Sequence, residues 1–216
     1  GKKISTSQNW AIWIPYLIKH YDSDTIRYFF IANGPETRDA DFSWREFINS
    51  HNGELLGAYG NFVNRSLVFI QKFFDGKVPE GQCNPEIREA IKGLYAISAD
   101  FIEQGHFKDA IETIFSFIRS ANKYFDEEQP WITVKENKER CKETLFTCVQ
   151  IIANLSILLE PFLPVSSSKI NSMLQIGDLG WEYTEVLFGL NLGEVNILFE
   201  RIDKNQIEEE IEKMNN

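Results

Sequence analysis

This sequence has few of the residues that bind metals or build disulfides. It contains three cysteines and three histidines. Cys83, Cys141 and Cys148 are spaced unlike any zinc pattern, and an odd count builds no even disulfide framework. Reduced thiols in a cytoplasmic protein are the expectation. No apolar run reaches the roughly 18 residues of a membrane span, and no signal peptide is apparent. The longest apolar stretch, 151–163, is interrupted by Asn154, Ser156, Glu160 and Pro161 and reads as a buried helix. Positive charge is also scarce: 22 Lys and Arg face 32 Asp and Glu, a formal net charge of −10. Non-specific nucleic-acid affinity comes mainly from cations that neutralise phosphates. The composition therefore argues against a DNA-coating protein, while leaving room for a local patch that reads a few unpaired bases.

What is present is helical periodicity. At 216 residues and 43% hydrophobic, the chain can bury a substantial core. A first helix is expected over 11–21, with Ile14, Leu17, Ile18 and Tyr21 on one face. A second over 25–32 stops at Asn33-Gly34-Pro35. Ser43, with Glu46 three residues on, reads as a capping box opening a third helix that ends near Asp75-Gly76. Gly53, Gly57 and Gly60 either interrupt that helix or let a neighbour approach. After a loop over 76–85, helices are expected over 86–104, over 106–125 and, most hydrophobic of all, over 137–159. Ser166, Ser167 and Ser168 are expected to cap a short helix ending at Leu174. The alternation of Val195, Ile197 and Phe199 suggests a short strand or docking segment. A polar terminal helix over 206–214 carries a narrow stripe of Ile207, Ile211 and Met214. The fold class is all-α, an antiparallel helical bundle flanked by shorter elements.

Three features could carry function. Asn61 and Arg65 lie four apart on a predicted helix and so share a face, with Lys72 further along the same stripe. An amide beside a guanidinium suits unpaired bases, since Asn bonds a base edge in two directions and Arg bonds, stacks or holds phosphate. A charged solvent face on an ordinary amphipathic helix has the same pattern. The second feature is Pro130-Trp131, where an amphipathic helix runs through an acidic turn and stops. An indole at that corner is either a core staple or a stacking platform for a base. The third is Gly1-Lys-Lys-Ile-Ser-Thr-Ser7, where lysine, hydroxyls and backbone amides ahead of a helix suit a polyphosphate or an ordinary Ser-rich cap.

Taken in order, these features resemble one family. Lys3-Ile-Ser-Thr-Ser7 is similar to the KMSKS signature of class I aminoacyl-tRNA synthetases, and Tyr21-Asp-Ser-Asp-Thr-Ile-Arg-Tyr28 to the helix after it. Ala32-Asn-Gly-Pro-Glu-Thr-Arg-Asp-Ala-Asp-Phe-Ser43, Gly60-Asn-Phe-Val-Asn-Arg65 and Asn122-Lys-Tyr-Phe-Asp-Glu-Glu-Gln-Pro-Trp131 resemble methionyl-tRNA synthetases in particular. Glu160-Pro-Phe-Leu-Pro164 and Ile197-Leu-Phe-Glu-Arg-Ile202 fit the same family, so the resemblance spans essentially the whole chain.

That resemblance implies an organisation into a KMSKS-loop and stem-contact segment (1–50), a helical anticodon-binding bundle (51–180) and a C-terminal segment that packs back on the N-terminal part (181–216). It implies that Asn61, Arg65 and Trp131 read the CAU anticodon of methionine tRNA, with the indole stacking on a splayed base. Asp126 is implied to disfavour wrong anticodons. Lys3, Ser5 and Ser7 match positions around the ATP phosphates. Thr6 replaces the family's second signature lysine, which leaves Lys2 and Lys3 as the lysines at hand. The chain opens at Gly1 without an initiator methionine, so a fragment is expected, with its own catalytic domain as a further partner. A HIGH-type motif and a nucleotide-binding sheet are absent, and the fragment alone is expected to be inactive. Two other readings stay open: a helical protein-interaction module without nucleic acid, and the anticodon domain of another class I synthetase.

Overall fold

The computed structural model describes residues 14–34, 42–177, 179–208 and 210. Nine α-helices follow one another among them: α1 Ile14–His20, α2 Ser23–Asn33, α3 Trp44–Ser50, α4 Asn61–Phe73, α5 Pro85–Glu103, α6 Phe107–Glu128, α7 Pro130–Glu136, α8 Lys138–Leu159 and α9 Pro164–Leu174. A π-helical stretch, His51–Gly60, joins α3 to α4. Among the described residues β pairing is limited to one isolated bridge, Lys77 to Asn191. The all-α expectation therefore holds.

Local chemistry sets several helix ends. Ser43 accepts from the Glu46 amide at the start of α3. Asn84 accepts from the Glu86 and Ile87 amides, with Pro85 in the first turn of α5. Asn137 accepts from Arg140 to open α8. The turn between α5 and α6 uses Gly105 at φ 78°, a left-handed conformation that costs glycine nothing. The three glycines of the third predicted helix all fall within the π-helical stretch, so the helix is interrupted in geometry without stopping. A neighbour does reach Gly60, since a Cβ there would make ordinary van der Waals contact with the Phe199 ring at 3.4 Å.

Four expectations need correction. The helix before Pro130 does stop, at Glu128, but the corner that follows is itself the start of a helix. Gln129 takes a left-handed conformation (φ 48°) and Pro130 then starts α7, where its missing N–H is harmless. Ser166, Ser167 and Ser168 lie within α9, which begins at Pro164. Its free amides are satisfied from outside by Asp24 of α2, whose carboxylate accepts from Ser166 N at 2.7 Å, Ser166 Oγ at 2.8 Å and Val165 N at 3.3 Å. A carboxylate there also complements the helix dipole.

The third concerns 195–199, which forms no strand and takes the other expected form, a docking segment. Leu198 and Phe199 are buried, and the backbone beyond them pairs with side chains. The Asn52 amide brackets Ile202, donating to its carbonyl at 2.8 Å and accepting from its N–H at 3.0 Å. Gln150 and Asn154 do the same for Val186 and Thr184. These amides explain polar residues in the most apolar helix: they replace the strand that the C-terminal segment lacks. Fourth, Ile14 and Ile18 do not bury with Leu17; they are 50% and 62% exposed. The terminal helix is described only from Gln206 to Glu208 and at Glu210. Ile211 and Met214 lie outside the described residues.

Two apolar clusters result among the described residues. The larger gathers Leu55, Phe62, Leu67, Ile91, Ile111, Phe115, Ile118 and the length of α8. The smaller gathers Leu17, Ile26, Phe29, Trp44, Phe47 and Ile48, with Ile202 and Ile207 packed against it. By length and composition α8 could cross a membrane, but 89% of its most apolar window is buried inside the protein. It is the central core helix.

Candidate nucleic-acid interface

Asn61 opens α4 and Arg65 lies one turn further on. Facing them on α6 is a second pair at the same spacing, Asn122 and Asp126. The pairs meet rung to rung: Asn61 Nδ2 donates to Asn122 Oδ1 at 3.2 Å, and Arg65 Nη2 donates to Asp126 Oδ1 at 2.6 Å. The equal offset means that α4 and α6 run parallel here, each antiparallel to the intervening α5. The π-helical stretch leads directly into Asn61 and supplies the Ala58 carbonyl that Asn122 bonds at 3.0 Å.

Trp131 stands beside this ladder in the first turn of α7. It is 44% exposed, so the indole offers a face to solvent. Its ring centroid is 6.2 Å from that of buried Phe125. The Arg65 guanidinium lies 4.5 Å from the Phe125 ring centroid and 5.9 Å from that of Trp131, within cation–π range of both. The Asp126 ion pair is open to water on both sides, with 31% and 56% side-chain exposure, so it contributes only about 0–1 kcal/mol to stability. Its consequence is geometric, because it holds the guanidinium between the carboxylate and the two rings.

The arrangement is a shallow surface with an aromatic face, a cation and an amide within one or two helical turns. Such a surface suits flat, splayed bases better than an enclosed small molecule. A cleft elsewhere, between α1, α2 and residues 200–206, is lined by Lys19, His20, Asp22, His51, Glu200 and Arg201. It contains none of the predicted readers. His51 there bonds Thr25 Oγ1 at 2.9 Å and the Glu200 carbonyl at 2.7 Å, and burial lowers its pKa despite the raising effect of that carbonyl. Lys72 is exposed, two turns beyond Arg65 on α4. Lys3, Ser5 and Ser7 lie outside the described residues. All three cysteines are free and buried.

Asn122 and Phe125 belong to the motif that ends at Trp131, but nothing in the sequence alone gives either a part in the site. The repeated i, i+4 spacing, 61 and 65 against 122 and 126, was the available signal. It becomes meaningful only once α4 and α6 are known to be neighbours.

An all-helical fold that sets an indole, a guanidinium and an amide on one surface defines a binding domain whose ligand the fold alone leaves open, and comparison with known proteins narrows it. Residues 1–67 match the family model described as tRNA synthetases class I (M). Residues 78–215 match that of the anticodon binding domain of methionyl tRNA ligase, and the chain belongs to this family. It is 54% identical over 214 residues to methionine–tRNA ligase 1 of Alkaliphilus oremlandii, covering 99% of this chain and 40% of that protein. It is likewise 54% identical over 213 residues to a Bacillus cereus methionine–tRNA ligase, covering 99% and 39%. The chain thus spans about two-fifths of the length of these relatives. Among solved structures, Mycobacterium tuberculosis methionyl-tRNA synthetase in complex with methionyl-adenylate superposes with a TM-score of 0.80 at 26% identity, over 93% of this chain and 42% of that one. The free form of the same enzyme gives 0.81 at 24% identity, over 89% and 41%, a likeness of fold.

Proposed function

We propose that this chain is the anticodon-reading region of a methionine–tRNA ligase. The parent enzyme joins methionine to its tRNA at the expense of ATP, releasing AMP and pyrophosphate. In this reading Trp131 stacks on one base of the CAU anticodon, while Arg65 and Asn61 bond base edges or the adjacent phosphate. The observation that carries it is the clustering of an exposed indole, a guanidinium and an amide on one surface of a chain from this family. Asp126 holds Arg65 until RNA arrives, so a loop that fails to replace the carboxylate gains little from binding. Lys3, Ser5 and Ser7 are proposed to approach the ATP phosphates in the complete enzyme. The chain alone carries no catalytic centre and is proposed to be inactive, its partners being methionine tRNA and its own catalytic domain, in the cytoplasm, with no part for DNA or a membrane.

The test has two arms. An RNA hairpin with a CAU loop is expected to bind the chain more tightly than one with a permuted loop. In the complete enzyme, Asn61→Ala and Arg65→Ala are expected to lower tRNA charging while leaving methionine-dependent ATP–pyrophosphate exchange intact. Equal or absent binding of both hairpins points instead to a helical protein-interaction module, the reading its acidity favours. A large loss of exchange activity would make the two residues supports of the catalytic site.

A further inference from the structure

Asn122 sits half-buried behind the exposed Asn61, and its bonds fix which way the Asn61 amide points. The Asn122 side-chain nitrogen bonds two backbone carbonyls, Ala58 O at 3.0 Å and Ile118 O at 3.1 Å. A carbonyl only accepts, so both must be met by N–H, and the two hydrogens of the Asn122 amide are thereby committed. Its oxygen is left facing Asn61. That oxygen also only accepts, so Asn61 must turn its own NH2 toward it, as observed at 3.2 Å. The remaining face of the Asn61 amide, its Oδ1 acceptor with one N–H beside it, is then presented to solvent in a single orientation.

The orientation matters because an amide that is free to flip is ambiguous. In one sense it accepts from the amine of cytosine or adenine and donates to the neighbouring ring nitrogen. Flipped, it donates to the carbonyl of uracil or guanine and accepts from the ring N–H. The two senses differ by a half-turn about one side-chain bond, so a freely turning asparagine discriminates poorly between them. We infer that Asn122 is a positioning residue for specificity: by locking the Asn61 carbonyl outward, it makes this position select a base bearing an exocyclic amine over one bearing a carbonyl. This rests on the anticodon-reading proposal. It adds that selectivity depends on a residue that touches no RNA, a supporting contact of the kind that fixes a binding group's geometry.

The chain supplies the test, with four hairpins whose loops carry CAU, UAU, CGU and CAC. The first two changes replace a base-edge amine by a carbonyl, and the third does the reverse. Wild type is expected to favour the amine at one position by about tenfold or more, consistent with the discrimination of one well-made base contact. Asn61→Ala identifies that position by collapsing its ratio. Asn122→Ala is expected to shrink the same ratio at least fivefold and to leave the other two ratios within twofold. The double variant should shrink it no further. A uniform loss of affinity with all three ratios intact would make Asn122 a structural contact and overturn the inference. A thermal melt of Asn122→Ala close to that of wild type, together with the two retained ratios, guards against a folding defect. If wild type does not distinguish CAU from the other loops, the anticodon-reading proposal itself fails, and this inference with it.

Discussion

Replacing Trp131 by alanine separates a stacking platform from a core staple, because the two roles predict opposite partitions of free energy. The indole is 44% exposed, so only about half of its area is shielded in the free protein. Fully burying a large apolar side chain stabilises by about 1.5–3 kcal/mol, so half burial is worth roughly 1 kcal/mol. For a chain of this length that corresponds to a fall in melting temperature of about 2–4 °C. A base stacked on the exposed face contributes about 1–3 kcal/mol to binding, which converts to roughly a 5- to 150-fold rise in Kd. Fluorescence anisotropy with a labelled CAU hairpin reads the second quantity and a thermal melt the first. Trp131→Phe should recover much of the affinity, since a smaller ring still offers a face. A hairpin Kd within twofold of wild type, accompanied by a melting temperature lowered by more than about 8 °C, would refute the stacking argument and make Trp131 a packing residue.

Asp126→Asn removes the carboxylate that holds Arg65 at 2.6 Å. Stability should change by about 0–1 kcal/mol, while affinities for CAU and permuted hairpins both rise and the ratio between them narrows; an unchanged ratio counts against a selective part for the ion pair. Asp24→Ala strips the cap from α9 and leaves the Ser166 amide without its acceptor, at a site only 2% exposed, while the Ser166 hydroxyl keeps the Leu163 carbonyl at 3.1 Å. A loss of about 2–4 kcal/mol is expected in urea unfolding with an unchanged m-value. Burial lowers the His51 pKa below its ordinary 6.5, so the unfolded chain takes up this proton at higher pH than the folded one. Its contribution to stability is full above about pH 6.5 and is lost as pH falls toward the folded pKa; His51→Gln should flatten that part of the slope, and identical slopes would refute it. Burial pushes the Cys148 thiol up to about 12 and raises Cys83 and Cys141 as well. A thiol reagent at neutral pH should label none of the three in native protein and all three in denaturant.

Much of the helical order was legible because its signals are local. Ser43 before Glu46 and the stripe of Ile111, Ile114, Phe115 and Ile118 act within a few residues and appear as expected, and Asn84 before Pro85 is an equally local cap that the reading of a loop over 76–85 passed over. The failures share one cause. The alternation at 195–199 resembles a strand, yet the Leu198 carbonyl accepts from the Lys169 side chain, and Asn52 brackets Ile202 just beyond, both partners distant in sequence. The serines of α9 look like caps, yet Asp24 reaches the helix from 142 residues away. Pro130 signals the end of one helix equally well as the beginning of the next, and only the left-handed Gln129 decides between them.

The candidate surface divides in the same way. Helical spacing alone placed Asn61 and Arg65 on one face, since a 3.6-residue period leaves no other arrangement. The sequence also set the ordered motifs that mark the family, and a helical core around 137–159. That Asn122 and Asp126 meet that face, and that Trp131 keeps half its ring in solvent beside Arg65, was decided by packing. Those contacts join residues about 60 positions apart, and no local preference encodes which helix becomes the neighbour of which. Both α4 and α6 pack against α8. Only when that core closes does a pair of i, i+4 spacings become a ladder.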